Sequence, residues 1–286
     1  MLNINFSSNF TADNQIFPGN GVLIKDYGNK LNSVCLTPEN VKKIINKLKS
    51  YGSSGPDKFS GLLFKNVVNE ISYPLSCIFN ISMSTSSIPA IWKTEIITSI
   101  FKNGCPNEAS NYRPISLTCI ASKIMEAIII DRRLDHLITC KLISSQQHGF
   151  LVCHPTNTQL LESCIDWAVL LSNIKQVDIA YLDFTKEFDS VVHNKLMFKL
   201  NAYGFDGLLY SWIREFISNR YQCFTVENCV SCVCNVINGV PQGSVVGHYY
   251  FITILTMLQI PIIIRLLSIY LQMTPNFIPV LITLKM

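Results

Sequence analysis

Asp183 closes the run Val177-Asp-Ile-Ala-Tyr-Leu182, and an aromatic, Phe188, follows it in Phe184-Thr-Lys-Glu-Phe-Asp189. A carboxylate delivered by a strand end can ligate a divalent cation. Transfer of a phosphoryl group to a hydroxyl uses two Mg²⁺ ions about 4 Å apart, bridged by carboxylates. Asp183 has the right chemistry for one such ligand, and it equally suits capping of a helix begun by 185–188. Phe188 on its own reads as a core aromatic. Further on comes Asn238-Gly-Val-Pro-Gln-Gly-Ser-Val245. There Pro241 fixes a turn, Gly243 would let backbone approach a nucleotide closely, and Gln242 offers both a donor and an acceptor.

These residues need elements to hold them. Val177, Ile179, Ala180, Tyr181 and Leu182 predict a buried strand that presents Asp183. Upstream, Thr37-Pro38 is an N-cap followed by proline at the first helical position, and the helix continues through Leu48. Ser53-Ser-Gly-Pro-Asp57 is a turn cluster, and Leu62, Phe64, Val67, Val68 and Ile71 continue as a helix. After Pro89, Trp92, Ile96, Ile97 and Ile100 predict a strand ending at Phe101-Lys-Asn-Gly104, and Asn111–Leu117 an extended segment leading into a helix over 121–137. Helices are expected over 157–174, 193–203 and 208–218, with a hairpin from Tyr221–Val226 and Ser231–Ile237 before the Pro241 turn. Strands and helices mixed in this order indicate an α+β fold, and no internal repeat is visible.

Composition narrows the classes. The chain has 286 residues, ample for a substantial core, with 49% hydrophobic and 15% charged residues. The apolar excess is concentrated in residues 248–286, whose charges are Arg265 and Lys285 alone. Residues 1–247 then hold 21 basic against 19 acidic side chains, so charge alone does not point to nucleic acid. The eleven cysteines form no paired C-x₂-C pattern, and Cys229, Cys232 and Cys234 lack nearby histidines. Reduced thiols in an intracellular protein are the expectation, and the N-terminus has no signal-peptide pattern.

Tyr181-Leu-Asp-Phe-Thr-Lys-Glu-Phe-Asp-Ser-Val-Val-His193 resembles the first palm motif of non-LTR retrotransposon (LINE, jockey-like) reverse transcriptases, and Gly239-Val-Pro-Gln-Gly-Ser244 resembles the next. Ile88-Pro-x-x-Trp-Lys93, Asn111-Tyr-Arg-Pro-Ile-Ser-Leu117 and Gln147-His-Gly-Phe150 are similar to that family's fingers motifs, in order. The resemblance runs from about Pro38 to Gly247, more than seventy per cent of the chain. It implies a right-hand polymerase fold with fingers and a partial palm, RNA-templated addition of deoxynucleotides to a primer, and Mg²⁺ as cofactor. It implies Asp183 as metal ligand, Phe188 as the gate against a ribose 2′-hydroxyl, and Gln242 with Gly243 beside the incoming nucleotide. Arg113, a fork donor suited to phosphate, and Lys102 become nucleotide or template contacts, each with a solvated surface charge as its plain alternative. RNA template, DNA primer and deoxynucleotide are the implied partners; no obligate protein partner is inferred and a membrane is not expected.

The pattern breaks in two places. After Gln-His-Gly-Phe the family has a small basic segment, where this chain reads Leu151-Val-Cys-His-Pro-Thr156. After Gly247 the family's Gly-Pro-Leu-Leu-Phe, Tyr-Ile-Asn-Asp and Phe-Ala-Asp-Asp blocks are replaced by His248-Tyr-Tyr-Phe-Ile-Thr-Ile-Leu and a long apolar tail. A slip of one nucleotide in reading frame accounts for this. Regrouped by one base, 248–251 can encode Pro-Leu-Leu-Phe, 252–258 Tyr-Tyr-Tyr-Ile-Asn-Asp-Val, and 271–276 Phe-Ala-Asp-Asp-Thr-Lys. Met273 is always ATG and Thr274 begins AC, so that codon must regroup to GAC, an aspartate.

The sequence therefore predicts an irregular N-terminal segment over 1–35, a fingers-like region over 36–175, a partial palm over 176–247 and an apolar, frameshifted tail over 248–286. As written it offers one of three expected carboxylates, so the domain is expected to be a truncated and inactive polymerase. The other readings are a nucleic-acid-binding module without catalysis and a small protein anchored in a membrane by its tail.

Overall fold

The computed structural model describes residues 30–143, 156–173, 178–182, 188–189, 191–226, 229–244 and 280–284. The elements in chain order are α1 (Pro38–Lys47), α2 (Gly61–Asn66), α3 (Val68–Thr85), β1 (Thr94–Phe101), β2 (Tyr112–Leu117), α4 (Ile120–Thr139) and α5 (Thr156–Asn173). They continue with β3 (Asp178–Leu182), α6 (His193–Ala202), α7 (Gly207–Ile217), β4 (Arg220–Val226), β5 (Cys229–Val230), β6 (Cys234–Val236) and β7 (Val280–Leu284). It is a mixed helix-and-sheet fold, as the sequence implies.

Local chemistry explains the element ends. Thr37 accepts the Asn40 N–H at 3.2 Å and Pro38 occupies the first turn of α1, whose Val41, Ile44 and Ile45 are buried. Ser60 caps α2 in the same way, accepting from Leu63 N at 3.3 Å. The single helix expected through Ile71 bends at Val67 (φ −114°, ψ 26°), where two β-branched residues adjoin, and then runs on to Thr85. Ser86, in the left-handed region at φ 49°, ends it.

The main sheet has the order β2-β1-β4-β5, with β6 also paired to β4. β1 is antiparallel to β2 and parallel to β4, so the chain between β1 and β4 makes one long crossover. Opposite Ile97 lies Ser116 on one side and Phe224 on the other; opposite Ile100 lies Arg113. A second, two-stranded parallel sheet pairs β3 with β7, Asp178 opposite Val280 through Leu182 opposite Leu284.

One core cluster draws residues from Val34 through Leu137 and from Phe188 through Val240. Trp212 is its anchor: it stacks on Phe216 at 5.1 Å and donates its indole N–H to Ser82 Oγ at 3.0 Å. Phe79 meets Trp92 edge-on at 5.9 Å, tying α3 to the entry of β1. A half-exposed ion pair between buried Lys93 and Glu215 fastens that entry to α7. Among the described residues no helix is long and apolar enough to cross a membrane.

Candidate functional site

Three segments that carry sequence motifs meet at one cleft. The first is the inward face of β1 and β2. Strand alternation puts Glu95 and Ile97 of β1, Pro114 and Ser116 of β2 and Gln222 of β4 on that face. The second is the 238–242 loop, and the third is the turn at Phe188–Asp189. Together they line a narrow cleft with about 30 Å³ of free space, polar at Glu95, Gln222, Asn238, Gln242 and Asp189.

Backbone hydrogen bonds lock the loop in place. Val240 N donates to Phe188 O at 2.9 Å, Gly239 N to Val191 O at 2.8 Å, and Ser116 N to Gln242 O at 2.7 Å. His193, the first residue of α6, adds its Nε2 to the Gly239 carbonyl at 2.7 Å. Two glycines make this closeness possible. At Gly239 (φ +86°) a Cβ would stand 3.0 Å from the Phe188 carbonyl oxygen; at Gly243 (φ +130°) it would stand 2.6 Å from the Ser116 carbonyl oxygen. The close approach that Gly243 permits is thus to β2 of its own chain.

Buried charge lies beneath the loop. Glu95 and Arg220 are 2% and 1% exposed, on neighbouring strands and the same face. Burial pushes the Glu95 carboxyl above the usual carboxylate range, while Arg220 and a hydrogen bond from Ser116 pull it down and Glu126 pushes it up again. Arg220 gives one N–H to the Phe216 carbonyl at 3.2 Å and lies over the Phe216 ring at 4.9 Å. Its Nε and Nη2, like Glu95 Oε2, have no hydrogen-bond partner among the described residues. The unmet groups are complementary, an acceptor on one strand and a donor fork on the next. His193 is held below its ordinary range, first by burial and then by Arg220, with the Gly239 hydrogen bond opposing.

The sequence-predicted residues fare differently. Gln242 and Gly243 sit in the locked loop. Phe188 is brought against that loop through its backbone, but its ring is 8% exposed and belongs to the core cluster. Arg113 is exposed on the outward face of β2, opposite Ile100, so it points away from the cleft that Gln242 lines. Lys102 follows β1, exposed, its N–H bonded to Asn111 O at 2.8 Å. Asp183 lies outside the described residues, and so do Gln147–Phe150 and the 248–279 part of the tail; β3, which precedes Asp183, is where the sequence puts it.

Sequence reasoning missed Gly239, Glu95, Arg220 and His193. A signal existed for two of them: Glu95 and Arg220 are charges set among Ile96, Ile97, Cys223 and Phe224, a placement that buried charge pairs share. Among the described residues no group of three His, Cys, Asp or Glu side chains could hold a metal ion. Glu95, sealed in and faced by Arg220, is no ligand for a solvated cation, which leaves Asp189 as the one partly exposed carboxylate among the described residues that line the cleft. These residues alone do not fit a two-metal centre.

Comparison with known proteins places the chain. The family model for reverse transcriptase (RNA-dependent DNA polymerase) matches residues 100–271, running past Gly247 into the tail. The RNA-directed DNA polymerase from mobile element jockey of Drosophila melanogaster is 32% identical over 214 residues, 74% of this chain and 23% of that protein. The probable RNA-directed DNA polymerases from transposon BS and transposon X-element of the same fly are 29% and 26% identical, over 75% and 73% of this chain. The chain spans about a quarter of the length of these relatives, 23% to 24%. It belongs to the reverse transcriptase family, as a domain of the kind carried by non-LTR retrotransposons such as jockey.

Proposed function

We propose that the chain is a fingers-and-palm segment, fingers-like over 36–175 and palm over 176–247, of an RNA-directed DNA polymerase that no longer polymerises. The observation that carries the reading is the Gly239–Gly243 loop clamped between Ser116 of β2 and the backbone at Phe188, because it gathers three motifs of a nucleotide site around one cleft. In this reading Asp183, one residue beyond β3, is the surviving ligand for Mg²⁺. Gln242 faces the nucleotide and template base, and Phe188 backs the sugar. Arg113 and Lys102, exposed at the far end of the β1–β2 hairpin, meet phosphates of the RNA template or DNA primer rather than the nucleotide in the cleft.

Catalysis needs more carboxylates than Asp183. Without a second and third, the charge that develops on phosphoryl transfer goes unneutralised. The missing pair is encoded one base out of frame in the 248–286 segment. Although the family match continues to residue 271 in the frame as written, the Asp-Asp pair itself is absent from that frame. The coding DNA tests this directly. Codons 271–276 are expected to regroup by one base to Phe-Ala-Asp-Asp-Thr-Lys; any other regrouping removes the frameshift from the account.

A further inference from the structure

The net charge of +4 conceals a local concentration. Residues 42–65 hold six lysines, Lys42, Lys43, Lys47, Lys49, Lys58 and Lys65, against Asp57 alone, a net of +5, so all other residues together carry −1. Five of the lysines lie on adjoining segments: Lys42, Lys43 and Lys47 on α1, Lys49 just after it and Lys65 on α2. α1 turns Val41, Ile44 and Ile45 inward and leaves Lys42, Lys43 and Lys47 exposed. Lys42 Nζ donates to Asn69 Oδ1 of α3 at 2.6 Å, and Lys65 of α2 donates to Ser50 at 3.4 Å. Gly61 is pressed onto the Lys49 carbonyl, where a Cβ would lie 2.5 Å away, which fixes the Lys49–Tyr51 segment beside α2.

Aromatic rings stand among these cations. Tyr51 is 88% exposed and Tyr73 is 68% exposed, one helical turn beyond the Asn69 that Lys42 contacts. Phe59, 51% exposed, rests edge-on against Phe64 at 6.3 Å. Glu39 and Glu70 border the surface. Large rings left in water beside a run of lysines match the two demands of an unpaired strand, phosphate neutralisation and stacking of bases. A duplex meets only the first demand, because its bases are already stacked.

We propose that the outward surface of α1, α2 and the first turns of α3 binds single-stranded nucleic acid, with phosphates on Lys42, Lys43, Lys47 and Lys49 and bases on Tyr51 and Tyr73. The surface uses none of Gln242, Arg113 or Lys102, and it rests on the reading of the chain as a polymerase segment only in taking nucleic acid as the partner. The probe is a fluorescein-labelled oligo(rU), titrated with the full chain across about 50–200 mM salt. Replacing the four lysines by glutamine should flatten the log–log salt slope by about 0.7 for each phosphate that is no longer neutralised. Tyr51→Ala and Tyr73→Ala should each weaken binding about tenfold while leaving the slope intact, and should not affect an RNA duplex. All these side chains are exposed, so thermal melts should superimpose on the parent; if the lysine variant unfolds, the two tyrosine variants decide. Unchanged RNA affinity and slope in every variant overturns this surface and leaves the polymerase reading standing. Equal binding of polyglutamate assigns the surface to acidic protein and overturns the proposal. No oligo(rU) binding at the lowest salt overturns the surface together with the nucleic-acid reading.

Discussion

Replacing Gly243 by alanine should destabilise the fold severely for a single methyl group. At φ +130° an L-residue is strained by about 1–3 kcal/mol. The new Cβ would also stand 2.6 Å from the Ser116 carbonyl oxygen, and that oxygen is backbone in a paired strand, with little freedom to withdraw. Relief requires the loop to lift from β2, which breaks the 2.7 Å bond from Ser116 N to Gln242 O, worth about 1 kcal/mol. The expected loss is therefore about 2–4 kcal/mol, a large share of the stability of an ordinary domain. Urea unfolding followed by tryptophan fluorescence reports it, since Trp92 and Trp212 are both buried in the core. Gly52→Ala is the control: a Cβ there meets nothing within 4 Å, so its effect should stay within about 0.5 kcal/mol. Equal unfolding curves for Gly243→Ala and Gly52→Ala would refute the packing argument.

Trp212→Ala should cost about 3–5 kcal/mol in the same experiment, and Ser82→Ala about 1 kcal/mol, since the latter leaves a buried indole N–H without its acceptor. His193 has a folded-state pKa below its unfolded value, so the unfolded chain binds the proton more readily. Its contribution is intact above the unfolded value of about 6.5 and is lost as pH falls through that value and below. His193→Gln should flatten this acid limb, and an unaltered limb would contradict the assignment. Glu95 has the opposite sign: its raised pKa favours the fold at low pH, and that contribution disappears as pH rises through the folded value. Stability of Glu95→Gln relative to the parent should accordingly improve with rising pH.

Much of the fold was legible because the local signals were redundant. Thr37 and Pro38 mark a helix start by capping and by fixed φ together, and β1, β2, α4, α6 and α7 follow the apolar periodicities to within a few residues. The extension of α3 past Pro74 was not, since it depends on how Leu75, Phe79 and Met83 pack rather than on local preference. Site residues were legible as motifs and less so as geometry. Gln242 and Gly243 fall together with Phe188, but the outward aim of Arg113 follows from β2 pairing with Ile100 in a particular register, which a motif does not encode. The burial of the Phe188 ring likewise comes from packing against residues far along the chain. Glu95, Arg220 and His193 become neighbours only through the parallel pairing of β1 with β4 and the return of the 238–242 loop.

Primer extension on poly(rA)/oligo(dT), with Mg²⁺ or Mn²⁺ and labelled deoxynucleotide, tests the central claim most directly. A chain of the reverse transcriptase family that keeps the motif around Asp183 but lacks the aspartate pair in its frame should incorporate nothing above a protein-free control. Incorporation that depends on the divalent ion and disappears in Asp183→Asn would contradict the account, because it would show that a single family carboxylate, with what this chain supplies around it, suffices for polymerisation.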